Sequence, residues 1–234
     1  MKTYRKQSGP FTERPFYELH DIENICSEEL KSAGLHPSEP SPIRVERFIE
    51  KRFKVNPVYE DLPDGILGYS RFGKAGLEGI VISRALAEDQ SRSTERRVTT
   101  TLAHEAGHAL LHAHLFALGM PQPGLFGSEI TTPKILCRNE SMPAMNSGKK
   151  YDGRWWEFQA NQAIGALLLP RALTVKALEP LLDASGILGA SQELPAGRRE
   201  EAVILLSKVF DVNPIVARIR LEELYPSGGE QLTL

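Results

Sequence analysis

The sequence contains few cysteines: Cys26 and Cys137 are its two thiols among 234 residues. Neither belongs to a CxxC pair, and two thiols far apart in sequence do not suggest the framework of a disulfide-stabilised fold. Hydrophobic residues nevertheless make up 41% of the chain, and charged residues make up 25%. This is the balance of an ordinary globular protein that can bury an apolar core.

A large excess of one charge is also missing. The formal net charge is -2 and the sequence pI is near 6.3. The basic pairs at 96–97 and 198–199 are offset by neighbouring glutamates, so they indicate solvated faces. Because no global field draws the chain to nucleic acid, we expect no direct nucleic-acid partner.

Long apolar runs are absent from the sequence. The most apolar stretch, 109–120, contains two histidines and is much shorter than the roughly 20 residues that a membrane span needs. Residues 1–14 are polar and basic, without the apolar region of a signal peptide. These features predict a soluble, cytoplasmic protein with no membrane partner.

Local patterns predict an α+β fold. Three extended segments separated by Gly and Pro predict a small antiparallel sheet, at 54–59, 65–72 and 78–83. Apolar periodicity predicts helices at 16–33, 42–52, 94–117 and 155–169, followed by helical pieces up to about 224.

The same patterns predict a single domain at 13–225. Its ends, 1–12 and 226–234, are rich in small and polar residues and are expected to be flexible. Within the domain we expect a long loop at 119–153, rich in Gly, Pro and Ser, and a helix pair at 198–225.

The residues with the clearest chemistry form an HExxH motif on the predicted helix 94–117. His104 and His108 are four residues apart, so they differ by about 40° in direction and about 6 Å in rise on a helix. Two imidazoles in this arrangement can converge on one zinc ion, with Glu105 between them as general base. Apolar residues fill the neighbouring face of the helix, as expected of a helix that carries a site on the edge of a core.

A catalytic zinc site needs a third protein ligand, and two residues compete for this position. His114 lies ten residues after His104, the spacing of metzincins, but that arrangement needs a glycine at position 111, where this chain has Leu111. Glu157 is favoured instead, because it begins an otherwise apolar helix stripe that it shares with Asn161. Asn161 is then placed to hydrogen-bond a zinc histidine and fix its tautomer.

The chain resembles the ImmA/IrrE family of metallopeptidases in two blocks. The first is TLAHEAGHALLH at 101–112, and the second is EFQANQA at 157–163 followed by LLLP at 167–170. In that family the first block supplies two zinc histidines and the general base, and the glutamate that opens the second block is the third ligand. The segment at 137–138 and the predicted C-terminal helices are also similar to family segments.

The resemblance implies a gluzincin-like zinc endopeptidase whose protein substrate is a helix-turn-helix repressor of mobile elements or stress genes. Two residues, His112 and Tyr151, are candidates for a hydrogen-bond donor to the transition state. His112 can equally be an orienting or packing residue. The main alternative is a zinc-stabilised regulator that binds a repressor without cleaving it, although a structural site has no use for Glu105. A DNA-binding role for the C-terminal helices is a third hypothesis.

Overall fold

The computed structural model describes residues 2–4, 14–73, 75–89, 91–119, 134–138, 154–185 and 191–227. Its helices are α1 Leu19–Ser32, α2 Val45–Phe53, α3 Arg84–Glu88, α4 Arg92–Gly119, α5 Trp155–Leu168, α6 Arg171–Leu178, α7 Arg199–Val209 and α8 Pro214–Leu224. Its strands are β1 Lys2–Tyr4, β2 Arg14–Phe16, β3 Val58–Glu60, β4 Ile66–Gly73, β5 Gly76–Ser83, β6 Lys134–Arg138, β7 Asp183–Ser185 and β8 Ser191–Glu193.

The central sheet has the strand order β3-β5-β4-β6. Strand β4 pairs antiparallel with both β5 and β6, whereas β3 pairs parallel with β5. The α+β class predicted from the sequence is thus confirmed, but the prediction of a wholly antiparallel sheet is wrong at β3. The reason is the order of the strands: β3 crosses over to the far side of β5 instead of pairing with its successor β4.

Helix α4 is the longest element described and carries the HExxH motif. It begins two residues before the predicted start, where the Ser91 hydroxyl accepts a hydrogen bond from the Thr94 backbone N–H at 3.3 Å. This is the contact of a serine N-cap, which satisfies one of the free amides of the first turn. Asp89 supports the cap by accepting hydrogen bonds from both side-chain hydroxyls at 3.0 Å.

The sheet packs closely against α4 because β4 has a glycine where the helix approaches. A Cβ atom at Gly68 would lie 3.2 Å from Thr101 Cγ2 and 2.7 Å from the Val81 carbonyl oxygen. A larger side chain there would hold the helix away from the strand. Gly68 therefore sets the distance between the sheet and the metal-motif helix.

A second glycine sets the distance between α4 and α5. A Cβ atom at Gly107 would lie 2.8 Å from Ala163 Cβ and 3.2 Å from the Ala160 carbonyl oxygen. Both alanines are fully buried on α5. The two helices can approach this closely only because all three facing residues are small, and the approach brings the start of α5 beside the histidines of α4.

The C-terminal helix α8 is tied to the rest of the fold by a buried arginine. The guanidinium of Arg220 lies 2.8 Å from Glu23 Oε1 on α1 and 3.0 Å from Glu223 Oε2. Its Nε donates to the Leu169 carbonyl oxygen at 3.1 Å, just after α5. A buried charge needs such partners, so Arg220 links α1, α5 and α8 through one side chain.

Two small hairpins extend the predicted layout. Strand β1 pairs with β2, which places residues 2–4 in an antiparallel ribbon within the predicted flexible end. Strand β7 pairs with β8 in a region where only helix was expected. Of the predicted loop 119–153, the strand β6 is described and adds to the sheet next to β4, while most of the loop lies outside the described residues.

Candidate metal centre

The two histidines of the motif face each other across one turn of α4. Their Nε2 atoms are 3.0 Å apart, and their ring centroids are 4.6 Å apart at a nearly perpendicular angle of 84°. Both side chains are fully buried. The spacing on the helix therefore produces the convergence expected from the sequence.

Glu157, in the first turn of α5, completes the group. Its Oε2 lies 3.3 Å from His104 Nε2, and its Oε1 lies 3.7 Å from His108 Nε2. Glu157 is 7% exposed, and Oε2 makes no well-formed hydrogen bond to any residue that the structure describes. His104, His108 and Glu157 therefore form a buried group that could hold a metal ion.

The electrostatics of the group favour a cation at its centre. Burial alone would raise the pKa of Glu157, but its close polar contacts with His104 and His108 outweigh this effect and hold the pKa well below its usual range. Burial lowers the pKa of His108 to about 4. A carboxylate and a neutral imidazole thus meet in a buried site, and these are the protonation states that a metal requires of such ligands.

His114 takes no part in this group. Helix α4 continues through Leu111 without a break, and the His114 side chain is exposed. The residue that joins the two histidines is the one favoured from the sequence, Glu157. The physical reason is that an unbroken helix carries position 114 away from the face shared by positions 104 and 108.

Asn161 lies one turn after Glu157 and contacts the outer nitrogen of a histidine. Its Oδ1 is 3.0 Å from His104 Nδ1. A carbonyl oxygen can only accept, so His104 donates from Nδ1 and directs the lone pair of Nε2 toward the other members of the group. The contact has the geometry that the orienting role predicted for Asn161 requires, and the role itself stays a prediction.

Glu105 lies beside the group and is also fully buried. Its Oε2 accepts a hydrogen bond from the hydroxyl of Ser70 on β4, while its Oε1 makes no hydrogen bond to the described residues. Burial raises the pKa of Glu105 to about 7, although the electrostatic influence of the neighbouring His104 and the Ser70 hydrogen bond act to lower it. A carboxylate with a pKa near neutrality can take up and release a proton at working pH.

His112 has both ring nitrogens in contact with other side chains. Its Nδ1 lies 3.0 Å from His108 Nδ1, and its Nε2 lies 2.9 Å from Gln159 Oε1. Its ring packs edge-on against Trp155, with centroids 5.5 Å apart. This geometry favours the orienting role over the role of transition-state donor. The other candidate donor, Tyr151, lies outside the described residues.

Sequence reasoning missed Ser70 and Gln159. Ser70 lies in the buried stretch 67–70 of β4, and one serine in a mostly apolar strand is a weak signal of a site. Gln159 is fully inside the second motif block, but its partner depends on how α4 and α5 cross. Both residues acquire their roles through tertiary contacts.

Comparisons with known proteins add little to this geometry. No protein-family model and no curated protein matches the chain. A solved structure of a Mycobacterium tuberculosis transcriptional regulator is similar over 91% of this chain and 48% of its own, at 16% identity and a TM-score of 0.48. The chain thus spans about half the length of that protein, and a likeness this distant carries no argument about the site. No helix in the described part of the chain is long and apolar enough to cross a membrane.

Proposed function

We propose that this chain is a zinc-dependent endopeptidase. The observation that carries the proposal is the pairing of a His–His–Glu group with a fourth buried side chain, the Glu105 carboxylate, that is not needed to hold an ion. A structural zinc site is closed by four protein ligands, whereas a catalytic site has three and an open position. Three ligands with a neighbouring base correspond to the catalytic type.

Zinc is the metal that best fits the ligand set. Bonds of about 2.0–2.1 Å in a tetrahedral arrangement place the ligand atoms about 3.3 Å apart. Here the two Nε2 atoms are 3.0 Å apart, Glu157 Oε2 lies 3.3 Å from that of His104, and Glu157 Oε1 lies 3.7 Å from that of His108. Two imidazoles with one carboxylate are also the donors of known catalytic zinc sites, while magnesium and calcium prefer oxygen ligands throughout.

The residues around the group have distinct tasks in peptide hydrolysis. When bound, zinc polarises the carbonyl of the scissile bond and lowers the pKa of a water molecule. Glu105 accepts the proton of the attacking water on Oε1, the oxygen that makes no hydrogen bond to the described residues, and delivers it to the leaving amine. Ser70 holds the other oxygen, and Asn161 keeps the His104 ring in its ligating orientation.

The substrate class rests on the resemblance to the ImmA/IrrE family. Several members of that family cleave helix-turn-helix repressors, and we propose a repressor of this type as the substrate here. The alternative is a zinc-stabilised regulator that binds a repressor without cutting it. The complete burial of both histidines and Glu105 favours that alternative, because a hydrolytic site must admit a peptide.

One substitution separates the two functions. Glu105→Gln should retain one bound zinc per chain and the native fold, but it should lose hydrolysis because an amide cannot accept the water proton. The matched control is Glu95→Gln, which makes the same change at an exposed position of the same helix. Each zinc-loaded protein is incubated with a cell lysate or with a candidate repressor, and new chain termini are sequenced.

The proposal predicts termini that appear with the wild-type and Glu95→Gln proteins and are missing with Glu105→Gln. Cleavage that persists in Glu105→Gln would rule out the assigned base. Co-purification of an uncut repressor with all three proteins would favour the regulator.

A further inference from the structure

A chain of hydrogen bonds runs from the metal-binding group to the N-terminal ribbon. It starts at Nδ1 of His108, which lies 3.0 Å from Nδ1 of His112. It continues from His112 Nε2 to Gln159 Oε1 over 2.9 Å, and it ends where Gln159 Nε2 donates to the Pro15 carbonyl oxygen over 3.1 Å. His108, His112 and Gln159 are all buried.

The Pro15 end of this chain fixes the direction of every bond in it. A backbone carbonyl has no proton to give, so the Gln159 side chain must turn its NH2 group to Pro15 and its oxygen to His112. An amide oxygen only accepts, so His112 must carry its proton on Nε2. The Nδ1 atom of a neutral His112 is then an acceptor, and His108 must donate to it from its own Nδ1.

These hydrogen bonds determine the state of Nε2 of His108, the ring nitrogen that faces the metal-binding group. With Nδ1–H engaged, a neutral His108 presents the lone pair of Nε2 to His104 and Glu157. If His108 carried its proton on Nε2 instead, two acceptors or two donors would face each other at one of these hydrogen bonds. An imidazole that is already in the ligating tautomer binds a metal without first moving a proton.

We propose that His112 and Gln159 are positioning residues that hold His108 in its metal-binding tautomer. The Pro15 carbonyl sets the donor-to-acceptor direction of the hydrogen bonds that connect them. The N-terminal ribbon is therefore part of the support of the metal centre, although β2 is remote from it in sequence. This inference rests on the metal-binding part of the proposed function and is independent of whether the chain hydrolyses peptides.

Nitrogen-15 NMR of the histidine rings tests the proposal directly. Spectra of the wild-type protein are recorded without metal and again after one equivalent of zinc is added. His112 should carry its proton on Nε2 and a bare Nδ1 in both spectra, because Pro15 fixes this state before the metal arrives. A His112 tautomer that switches when zinc is added, or a proton on Nδ1 in both forms, would overturn the proposal.

A variant pair provides a second readout, the zinc affinity measured by competition with a chelator. Gln159→Met keeps the length of the side chain but removes its acceptor, and it should lower the affinity by about 10–100-fold, as loss of a partner behind a zinc histidine does. The matched control, Gln162→Met, makes the same change at a half-buried position of α5 and should leave the affinity unchanged.

Equal affinities in the two variants would contradict the proposal. If Gln159→Met does not fold, the wild-type spectra decide alone. Failure of peptide hydrolysis with intact zinc binding and the expected His112 tautomer would end the proposed peptidase function but not this inference.

Discussion

The hydroxyl of Ser70 donates a hydrogen bond to Oε2 of Glu105, and this bond joins the middle of the sheet to the motif helix. Two residues earlier on β4, Gly68 lies against Thr101, four residues before Glu105. Two residues along a strand advance about 6.7 Å and four residues along a helix advance about 6 Å. Because the two advances are nearly equal, the register that packs Gly68 against Thr101 also brings Ser70 next to Glu105.

Removing this hydroxyl should affect hydrolysis but not metal binding. Ser70→Ala leaves Glu105 without its partner on Oε2, so the carboxylate can rotate away from the attacking water. A hydrogen bond to a charged group contributes about 1.5–3 kcal/mol, which corresponds to a loss of roughly 10–100-fold in kcat/KM. The measurements are zinc stoichiometry, which should stay at one, and cleavage kinetics on the identified substrate.

The control for Ser70→Ala is Ser83→Ala, a buried serine of the neighbouring strand β5. It should change kcat/KM little, since it removes a hydroxyl from the same sheet but not from Glu105. Normal kinetics for Ser70→Ala would show that Glu105 is held in place without this bond.

The contact of α4 with α5 at Gly107 should be sensitive to one added methyl group. Gly107→Ala brings a Cβ atom to 2.8 Å from Ala163 Cβ, closer than carbon atoms pack. Adding atoms to a filled core costs about 1–3 kcal/mol, more than the gain of up to about 1 kcal/mol from replacing glycine in a helix. Denaturant unfolding should show lower stability, and chelator competition should show weaker zinc binding because Glu157 moves with α5.

A matched substitution is available at Gly197, where an added Cβ meets nothing within 4 Å. Gly197→Ala should change the free energy of unfolding by no more than about 0.5 kcal/mol, the usual range for an open surface position. A Gly107→Ala protein as stable as Gly197→Ala would mean that the helices can move apart freely.

The residues that could be found from the sequence are those whose roles depend on local spacing. His104 and His108 converge because they are four apart on one helix, and Glu157 stood out as a carboxylate on an apolar stripe. The choice between Glu157 and His114 also followed from local structure, because Leu111 keeps α4 intact. Each of these inferences needs only the geometry of a single helix.

Features that depend on how elements pack could not be found in this way. The parallel pairing of β3 with β5 is a matter of strand order, on which the Gly and Pro between the strands carry no information. Ser70 and Gln159 reach the site only through the strand register and the helix crossing. The burial of Arg220 depends on packing as well, because its partners include Glu23 on α1 and the Leu169 carbonyl after α5.

An ion pair outside the metal centre gives a pH-dependent prediction. Asp211 Oδ1 accepts hydrogen bonds from Nε of Arg96 at 2.8 Å and of Arg92 at 2.9 Å, which joins α4 to the turn before α8. Burial acts to raise the pKa of Asp211, but the two arginines outweigh it and hold the pKa below its usual value near 3.8. A lowered pKa stabilises the fold above pH 4, and this stabilisation is lost as the pH falls through the folded-state value.

Asp211→Asn tests this linkage without disturbing the backbone, since asparagine tolerates the positive φ of 53° at this position. The pair is partly exposed, so the loss in the free energy of unfolding at pH 7 should be about 0.5–1 kcal/mol. The difference from wild type should shrink below pH 4. Asp64→Asn, at an exposed turn, serves as the control, and a pH-independent loss in Asp211→Asn would contradict the electrostatic explanation.

The third ligand is tested by three alanine substitutions measured with the same chelator competition. Glu157→Ala removes one of three ligand atoms and should reduce zinc affinity severely, by far more than any other single change outside the two histidines. Asn161→Ala leaves all three ligands in place but removes the hydrogen bond that orients the His104 ring. It should therefore lower the zinc affinity by about 10–100-fold. His114→Ala should leave the affinity nearly unchanged, since its side chain points to solvent from an unbroken helix.

The relative sizes of the three losses in zinc affinity test the assignment of the ligands, because each loss depends on a different structural feature. The Glu157 effect depends on its oxygens lying 3.3 and 3.7 Å from the two Nε2 atoms. The Asn161 effect depends on its 3.0 Å contact with His104 Nδ1. A ligand must contribute more to zinc affinity than a residue that orients another ligand. If Asn161→Ala and Glu157→Ala lowered the affinity equally, Glu157 would not be a ligand. A His114→Ala loss of the same size would require α4 to break near Leu111 when zinc binds, and the whole assignment of the centre would then fail.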